Sequence, residues 1–167
     1  MTTFVSVRSF VHAVTYLADN VVKSLKDIVR LSGLDPTQAV DLWPTLELGI
    51  KTWIQSGHLK AIILEVYDPR TDAFVGGWEI EVGYEYSDGD GRFYADTDAI
   101  RQGILKQGVL PRSSRYEIKV TTRPGRPDVA GWVAAHLRSR EGFVKQGIGT
   151  GVEAWGLSGG FGYYRRG

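Results

Sequence analysis

The stretch LKAIILEVYDPRTDAFVGGWEIEVGYEY, residues 59–86, decides the fold because its apolar residues recur with the period of a strand. Residues 59–67 predict one strand, and the following DPRTD predicts a turn with Pro69 at its second position. Residues 74–86 alternate between an apolar and an acidic face, which predicts an antiparallel hairpin with one face in water. The apolar face comprises Phe74, Trp78, Ile80, Val82, Tyr84 and Tyr86, and the acidic face Glu79, Glu81 and Glu85.

Two helices are predicted before this hairpin. In residues 7–32 the apolar side chains recur in steps of three and four, which predicts one long helix that ends at Gly33. Residues 36–56 predict a second helix, with a break near Pro44 because proline removes a backbone donor.

The chain beyond the hairpin predicts one more helix and one more strand. Residues 96–108 predict a third helix, capped by Asp96 or Thr97. Residues 115–122, RYEIKVTT, alternate again and predict a strand. Its inward side chains are Tyr116, Ile118 and Val120, and its outward ones Arg115, Glu117 and Lys119. These elements predict an α+β body in which three helices pack on an antiparallel sheet.

The last quarter of the chain differs in composition from the rest. Residues 125–167 contain 11 Gly in 43 residues and show little sustained period. They also carry aromatic residues, which need burial to offset their ordering entropy, whereas Gly lets a backbone bend sharply. We therefore predict one domain, residues 1–167, with a core body at 1–124 and a Gly-rich arm at 125–167 that packs onto the body and changes where it packs.

Composition excludes several classes of function. The chain has 20 Lys and Arg against 19 Asp and Glu, a net charge of +1 that gives no general attraction to nucleic acid or anionic lipid. It has no Cys and three scattered His, and SDGDG at 87–91 lacks the closing Glu of a calcium loop, so neither a metal nor another cofactor is predicted. No apolar run is long enough for a membrane span or a signal peptide, so we expect a cytoplasmic protein.

Two functions based on charged residues remain as alternatives. The first is a small nucleic-acid-binding module, in which cations grip a strand beside Phe143. Its cations would be Arg138, Arg140, Lys145, Arg165 and Arg166. The second is a small hydrolase, in which Glu79 and Glu81 would act as paired acid–base carboxylates.

Stretches across nearly the whole chain resemble the HORMA domain. More narrowly, they resemble bacterial HORMA proteins encoded beside cGAS/DncV-like nucleotidyltransferases in CBASS anti-phage operons. The stretches are TYLADNVVKSLKDIVRLSGLDP (15–36), IKTWIQSGHLKAIILEVYDPRTD (50–72), YSDGDGRFYADTDAI (86–100), RPGRPDVAGW (123–132) and GLSGGFGYYRR (156–166).

The resemblance implies a HORMA-like fold whose C-terminal arm is a safety belt that locks an extended closure-motif peptide beside the sheet. It implies a signalling adaptor and not an enzyme. The peptide would come from a second HORMA protein, a phage protein or a host protein. The closed complex would activate the nucleotidyltransferase, and an AAA+ remodelling ATPase would reopen it by engaging residues 1–10, including Phe4, Val5 and Val7.

The same resemblance assigns candidate peptide-binding residues to the strand at 115–122 and to the arm, whose residues 144–167 would form the latch. On the strand these are Tyr116, Glu117, Ile118, Lys119, Val120 and Thr121. In the arm these are Trp132, Phe143, Val144, Gln146, Ile148, Trp155, Phe161, Tyr163 and Tyr164.

Overall fold

The structure, a computed structural model, describes residues 2–6, 10–84, 92–154 and 156–167, with the backbone alone for 2–6 and 92–94. Several sequence-based assignments lie outside these residues: the turn at 87–91, the strand faces of Glu85 and Tyr86, and the roles of Val7 and Trp155.

Helices and strands follow one another in the order that the sequence predicts through residue 122, with β1 and β4 in addition. The elements are β1 Thr2–Ser6, α1 Phe10–Leu31, a 3₁₀ helix Pro36–Ala39, α2 Trp43–Gln55, β2 Leu59–Tyr67, β3 Phe74–Tyr84, β4 Arg92–Asp96, α3 Thr97–Gln107, β5 Arg115–Thr122, β6 Phe143–Ala154 and β7 Leu157–Arg166. The predicted break near Pro44 is confirmed in a specific form, because a 3₁₀ helix precedes α2 and the proline lies in the first turn of α2.

Among the described residues, seven strands form one antiparallel sheet in the order β1-β4-β6-β7-β3-β2-β5. The predicted hairpin is the β2–β3 pair, with Ile62 opposite Ile80 and Leu64 opposite Trp78. In the part of the chain that the structure describes, β1 and β5 are the two edges of this sheet. The predicted α+β architecture, with helices packed on an antiparallel sheet, is confirmed.

The core lies between the helices and one face of the sheet. Helix α1 is central to it and packs against α2, α3 and strands β6 and β7. Leu17, Leu25 and Ile28 are fully buried on its apolar stripe, as the helical period predicts. Gly33 has a φ of 82°, and Leu34 N donates to Val29 O at 3.1 Å, so the chain leaves the helix through a left-handed residue. None of the described helices is long and apolar enough to cross a membrane.

The predicted arm consists of two structurally different parts. Residues 123–142 run without regular structure past the β5 edge, whereas β6 and β7 form a hairpin inside the sheet, between β4 and β3. Residues 144–167, which the sequence assigns to a movable latch, are therefore mostly an integral part of the sheet. Glycine serves close packing here: a Cβ on Gly151 would lie 2.7 Å from the Phe161 ring.

Candidate binding groove at the sheet edge

The outer backbone edge of β5 faces residues 123–142, which we call the crossing segment. On its inner side β5 pairs with β2 from Leu59–Thr122 to Tyr67–Arg115. Across the described residues, no backbone hydrogen bond joins β5 to the crossing segment. The outer donors and acceptors of the strand are therefore open to pairing with another extended chain.

The N-terminal part of the crossing segment is fixed to α2 by two tryptophans. The rings of Trp53 and Trp132 meet edge to face with centroids 4.8 Å apart. Trp53 Nε1 donates to Pro127 O at 2.7 Å, and Trp132 Nε1 donates to Thr45 O at 3.1 Å. Trp132 occupies the space left by the missing side chain of Gly49, where a Cβ would lie 2.3 Å from Nε1. We call this contact the tryptophan anchor.

The C-terminal part of the crossing segment is fixed by the buried carboxylate of Glu65, which is 0% exposed. Glu65 accepts hydrogen bonds from Lys119 Nζ at 2.7 Å, from the Arg138 backbone N at 3.0 Å and from the Arg138 guanidinium. The Arg138 guanidinium also binds Asp72 at 2.8 Å and Glu117 at 2.6 Å. We call these five residues the Glu65 cluster.

Three cation–π contacts add to this ionic network. The Arg138 guanidinium stacks over the Tyr67 ring, 3.7 Å from its centroid, while Arg140 lies between the rings of Phe74 and Tyr164 at 4.8 and 4.9 Å. The crossing segment is thus held by cation–π contacts as well as by charge.

The environment of Glu65 keeps its carboxylate ionised. Burial disfavours the charged form, but the hydrogen bonds from Lys119 and Arg138 outweigh that effect and lower the pKa of Glu65. Burial likewise disfavours the charged Arg138, yet its bonds to Asp72, Glu117 and Glu65 raise its pKa. Each partner therefore stabilises the charge of the other.

The Glu65 cluster makes stability depend on pH. Because the folded pKa of Glu65 is lowered, its contribution is present above the ordinary Glu pKa of about 4.3 and is lost as pH falls through the folded value. We expect the urea midpoint of the native chain to fall more steeply below about pH 4.3 than that of Glu65→Gln, in which this group does not titrate. Parallel curves for the two chains would contradict this account of the cluster.

The two fixed ends of the crossing segment lie on opposite faces of the sheet. Ile118, opposite Leu64, packs against the core on the face that carries the helices and the tryptophan anchor. Glu65 follows Leu64 on β2, so its side chain points to the other face. Residues 133–137 must therefore pass around the β5 edge to reach Arg138.

A groove of about 300 Å³ lies between β5 and this passage. Its β5 wall comprises Ile118, Lys119, Val120, Thr121 and Thr122, and its outer wall Trp132, Val133, Ala134, Ala135 and Leu137. Trp53 and Arg126 also line it. Val133 is 84% exposed and Leu137 46% exposed, so apolar side chains of the outer wall have little protein to pack against. A groove with an unpaired strand on one side and apolar side chains on the other fits an added strand.

The structure brings four of the six β5 candidates and Trp132 together at this groove. Tyr116 does not line it but lies in the core, where its hydroxyl donates to Asp35 O at 2.7 Å and burial raises its pKa to about 12. Glu117 joins the Glu65 cluster through Arg138. The remaining β5 candidates, Ile118, Lys119, Val120 and Thr121, line the groove directly.

Seven other candidates lie away from the groove, so the groove does not support the peptide-binding role that the resemblance implies for them. They are Phe143, Val144, Gln146 and Ile148 on β6 and Phe161, Tyr163 and Tyr164 on β7. Strands β3 and β2 separate them from β5, so they do not line the groove. Their aromatic rings serve packing instead: Tyr163 lies 5.4 Å from Trp78, and Phe143 lies 4.8 Å from Phe74. Phe4 and Val5 lie on β1, at the opposite edge of the sheet.

The sequence-based reading missed Glu65 and the role of Gly49. Glu65 is the only acidic residue in the apolar run LKAIILEVY, which is the one local signal for it. Its partners Lys119 and Arg138 are 54 and 73 residues away, so the sequence does not reveal the pairing.

Three of the five cations of the nucleic-acid alternative, Arg138, Arg140 and Lys145, already lie beside acidic partners. Arg138 is bound within the Glu65 cluster, and Lys145 donates to both Glu79 and Glu81. Burial disfavours the Lys145 ammonium, but these two bonds raise its pKa. The same bond from Lys145 lowers the pKa of Glu81, which opposes the protonated form that a general acid requires. The structure therefore weakens both charge-based alternatives, although no acidic residue among those described pairs with Arg165 or Arg166.

The fold is that of HORMA-domain proteins. C. elegans HTP-2 bound to the HIM-3 closure motif has a similar structure, with a TM-score of 0.71, 10% identity and coverage of 95% of this chain and 92% of that one. The E. coli MS115-1 HORMA:CdnC:Trip13 complex contains a similar chain, with a TM-score of 0.63, 14% identity and coverage of 99% and 95%. A chain of the mitotic checkpoint complex is also similar, with a TM-score of 0.70, 10% identity and coverage of 92% and 98%.

The chain belongs to the family described as bacterial HORMA domain 2, whose sequence profile matches residues 1–167. The predicted membership of the bacterial HORMA proteins is thereby confirmed. No curated protein is significantly similar to the chain in sequence.

Proposed function

We propose that this protein is a peptide-binding signalling adaptor that captures an extended closure-motif peptide between β5 and the crossing segment. One observation carries the proposal: a segment anchored on both faces of the sheet passes around an unpaired strand edge and leaves a groove there. The captured peptide adds a strand to β5 and gains main-chain hydrogen bonds, while the crossing segment acts as the safety belt over it.

In this proposal the groove binds a peptide and catalyses no reaction. The tryptophan anchor and the Glu65 cluster hold the two ends of the belt, so peptide exchange requires release of at least one of them. The peptide favours the closed arrangement because it binds there alone, and a difference of a few kcal/mol is enough to shift the population. The closed complex is the signalling state.

The partners in this proposal are the peptide, a cGAS/DncV-like nucleotidyltransferase and an AAA+ remodelling ATPase, all in the cytoplasm. The peptide comes from a second HORMA protein, a phage protein or a host protein. Similar chains support this: one forms a HORMA:CdnC:Trip13 complex, and another is bound to a closure motif. The β1 strand suits the ATPase because it lies at a sheet edge and, among the described strands, pairs only with β4. Pulling on β1 would therefore break the hydrogen bonds to a single neighbouring strand.

Filling the groove is expected to abolish peptide capture. Ala135→Trp places an indole in the groove that Ala135 lines, whereas Ala130→Trp alters an exposed alanine of the crossing segment outside it. From a display library of random eight-residue peptides, we expect the native chain and Ala130→Trp to enrich peptides that bind Ala135→Trp at least tenfold more weakly. Equal binding by all three chains would place capture elsewhere.

Activation is measured with the same variants. We expect an enriched peptide to increase product formation by the nucleotidyltransferase with the native chain and with Ala130→Trp, but not with Ala135→Trp. Deleting 144–167 is a poor test, because it removes most of β6 and all of β7 from the sheet.

A further inference from the structure

We infer that the groove selects an alternating peptide: two large apolar side chains at positions i and i+2 toward the helices, with a small or uncharged residue between them. This inference rests on the proposed function and specifies the ligand class of that site.

The wall of the groove on the helix face is apolar apart from Arg126, whose guanidinium stacks 4.8 Å from the centroid of the Trp53 ring. Ile118 and Val120 are two residues apart on β5, both half-buried and both packed against the core. Trp132, which is held by the tryptophan anchor, forms the end of the groove on this helix-facing side. A strand beside β5 repeats its spacing of roughly 6.6 Å per two residues. Its side chains i and i+2 therefore lie beside Ile118 and Val120.

On the opposite face of the groove, the charged side chains that the structure describes are already bound to one another. Lys119 Nζ binds Glu65 at 2.7 Å and His136 O at 2.6 Å. Arg138 and Glu117 bind each other at 2.6 Å. A charged peptide residue on this face would have to replace one of these contacts, and a large one would collide with the backbone at His136. This face therefore favours a small or uncharged residue.

The outer wall explains why the selected side chains are large. Ala134 and Ala135 line the groove but project little into it, which leaves room for the ligand. Val133 and Leu137, beside them, are 84% and 46% exposed. A large apolar ligand side chain would bury the surfaces of Val133 and Leu137, which contributes favourable free energy to binding. A small or polar side chain would leave those surfaces in water. The β5 wall from Ile118 to Thr122 spans roughly 16 Å, which limits the recognised core to about five residues.

The peptide library provides the first test. Among peptides enriched on the native chain, we expect two residues from Leu, Ile, Val and Phe separated by one uncharged residue. Aspartate at either apolar position of a synthetic enriched peptide is expected to weaken binding at least 30-fold, measured by fluorescence anisotropy. Asparagine at the intervening position is expected to change the dissociation constant less than threefold.

A matched pair of valines provides the second test. Val133 lines the groove and is 84% exposed, whereas Val109 lies outside it and is 80% exposed. We expect Val133→Asp to weaken binding of the enriched peptide about tenfold and Val109→Asp to leave it unchanged. Both variants alter an exposed residue, so both are expected to fold.

The outcomes separate the inference from the proposed function. Peptides that lose binding to Ala135→Trp but lack the i, i+2 pattern, or that tolerate aspartate there, would overturn the inference and leave the proposed function standing. Equal effects of Val133→Asp and Val109→Asp would also overturn it. Absence of any enriched peptide on the native chain would overturn both.

Discussion

Glu65→Leu is expected to lower the free energy of unfolding by about 3–5 kcal/mol, because it leaves Lys119 and Arg138 without their buried carboxylate. Glu65 is 0% exposed, and the side chains of its two cations are 12% and 15% exposed, so water compensates the lost charge poorly. The measurement is urea unfolding of the native and variant chains, followed by circular dichroism.

Glu117→Gln is the matched control. Glu117 binds the same Arg138 guanidinium, but its side chain is 46% exposed, so we expect a loss below about 1 kcal/mol. Adding Arg138→Met to Glu65→Leu is expected to recover part of the loss, because one uncompensated cation is removed. Equal effects of Glu65→Leu and Glu117→Gln would show that the buried carboxylate has no special role.

The same variant is expected to release the C-terminal end of the crossing segment. Arg138 and Arg140 are trypsin sites within it, and the Glu65 cluster holds the chain there against the sheet. Glu65→Leu should therefore be cleaved faster at these sites than Glu117→Gln, under conditions where both chains are folded. This connects the electrostatic contact to the opening of the belt.

The elements up to residue 122 were predictable because periodicity identifies them. Strands β2 and β5 begin and end where the sequence predicts, at 59–67 and 115–122. The alternation of β5 follows from burial on one face, whereas the apolar run of β2 follows from burial on both faces. Both patterns are local consequences of the fold and so appear in the sequence.

The hairpin β6–β7 was not predictable by the same means. Gly147, Gly149 and Gly151 interrupt the alternation of β6, and two register shifts near them break its period of two. Glycine was interpreted as a source of bends, but Gly151 makes room for the Phe161 ring. Composition alone does not distinguish these two uses, so the movable latch was assigned to residues that form strands.

The groove was predictable in part. The resemblance to HORMA proteins led to β5 and Trp132, and the structure places both at the groove. The anchoring residues Glu65 and Gly49 were missed because each acts through a residue at least 50 positions away, with Trp132 meeting Gly49 and Arg138 meeting Glu65. Arg138 itself was weighed as a nucleic-acid contact, since the sequence shows its charge and not its partner.

Gly49→Ala is expected to destabilise the protein by about 2 kcal/mol, although alanine in a helix interior ordinarily stabilises by about 1 kcal/mol relative to glycine. The new Cβ would lie 2.3 Å from Trp132 Nε1 and 2.5 Å from its Cε2, so the indole must leave. Its departure removes the edge-to-face contact with Trp53 and the hydrogen bond to Thr45 O. We expect urea unfolding to show the loss of stability and chymotrypsin to cleave faster after Trp132, whose ring is no longer held against α2.

A double-mutant cycle with Trp132→Ala isolates the cause. In that background the indole is absent, so Gly49→Ala has nothing to displace and should stabilise α2 by about 0.5–1 kcal/mol. The effect of Gly49→Ala on the free energy of unfolding thus changes sign, with a coupling energy of about 3 kcal/mol between the two positions. If Gly49→Ala destabilises both backgrounds equally, α2 itself rejects the methyl group and the tryptophan anchor does not hold the belt. A reversal means that one missing side chain on α2 fixes the N-terminal end of the crossing segment, and with it the closure of the groove over β5.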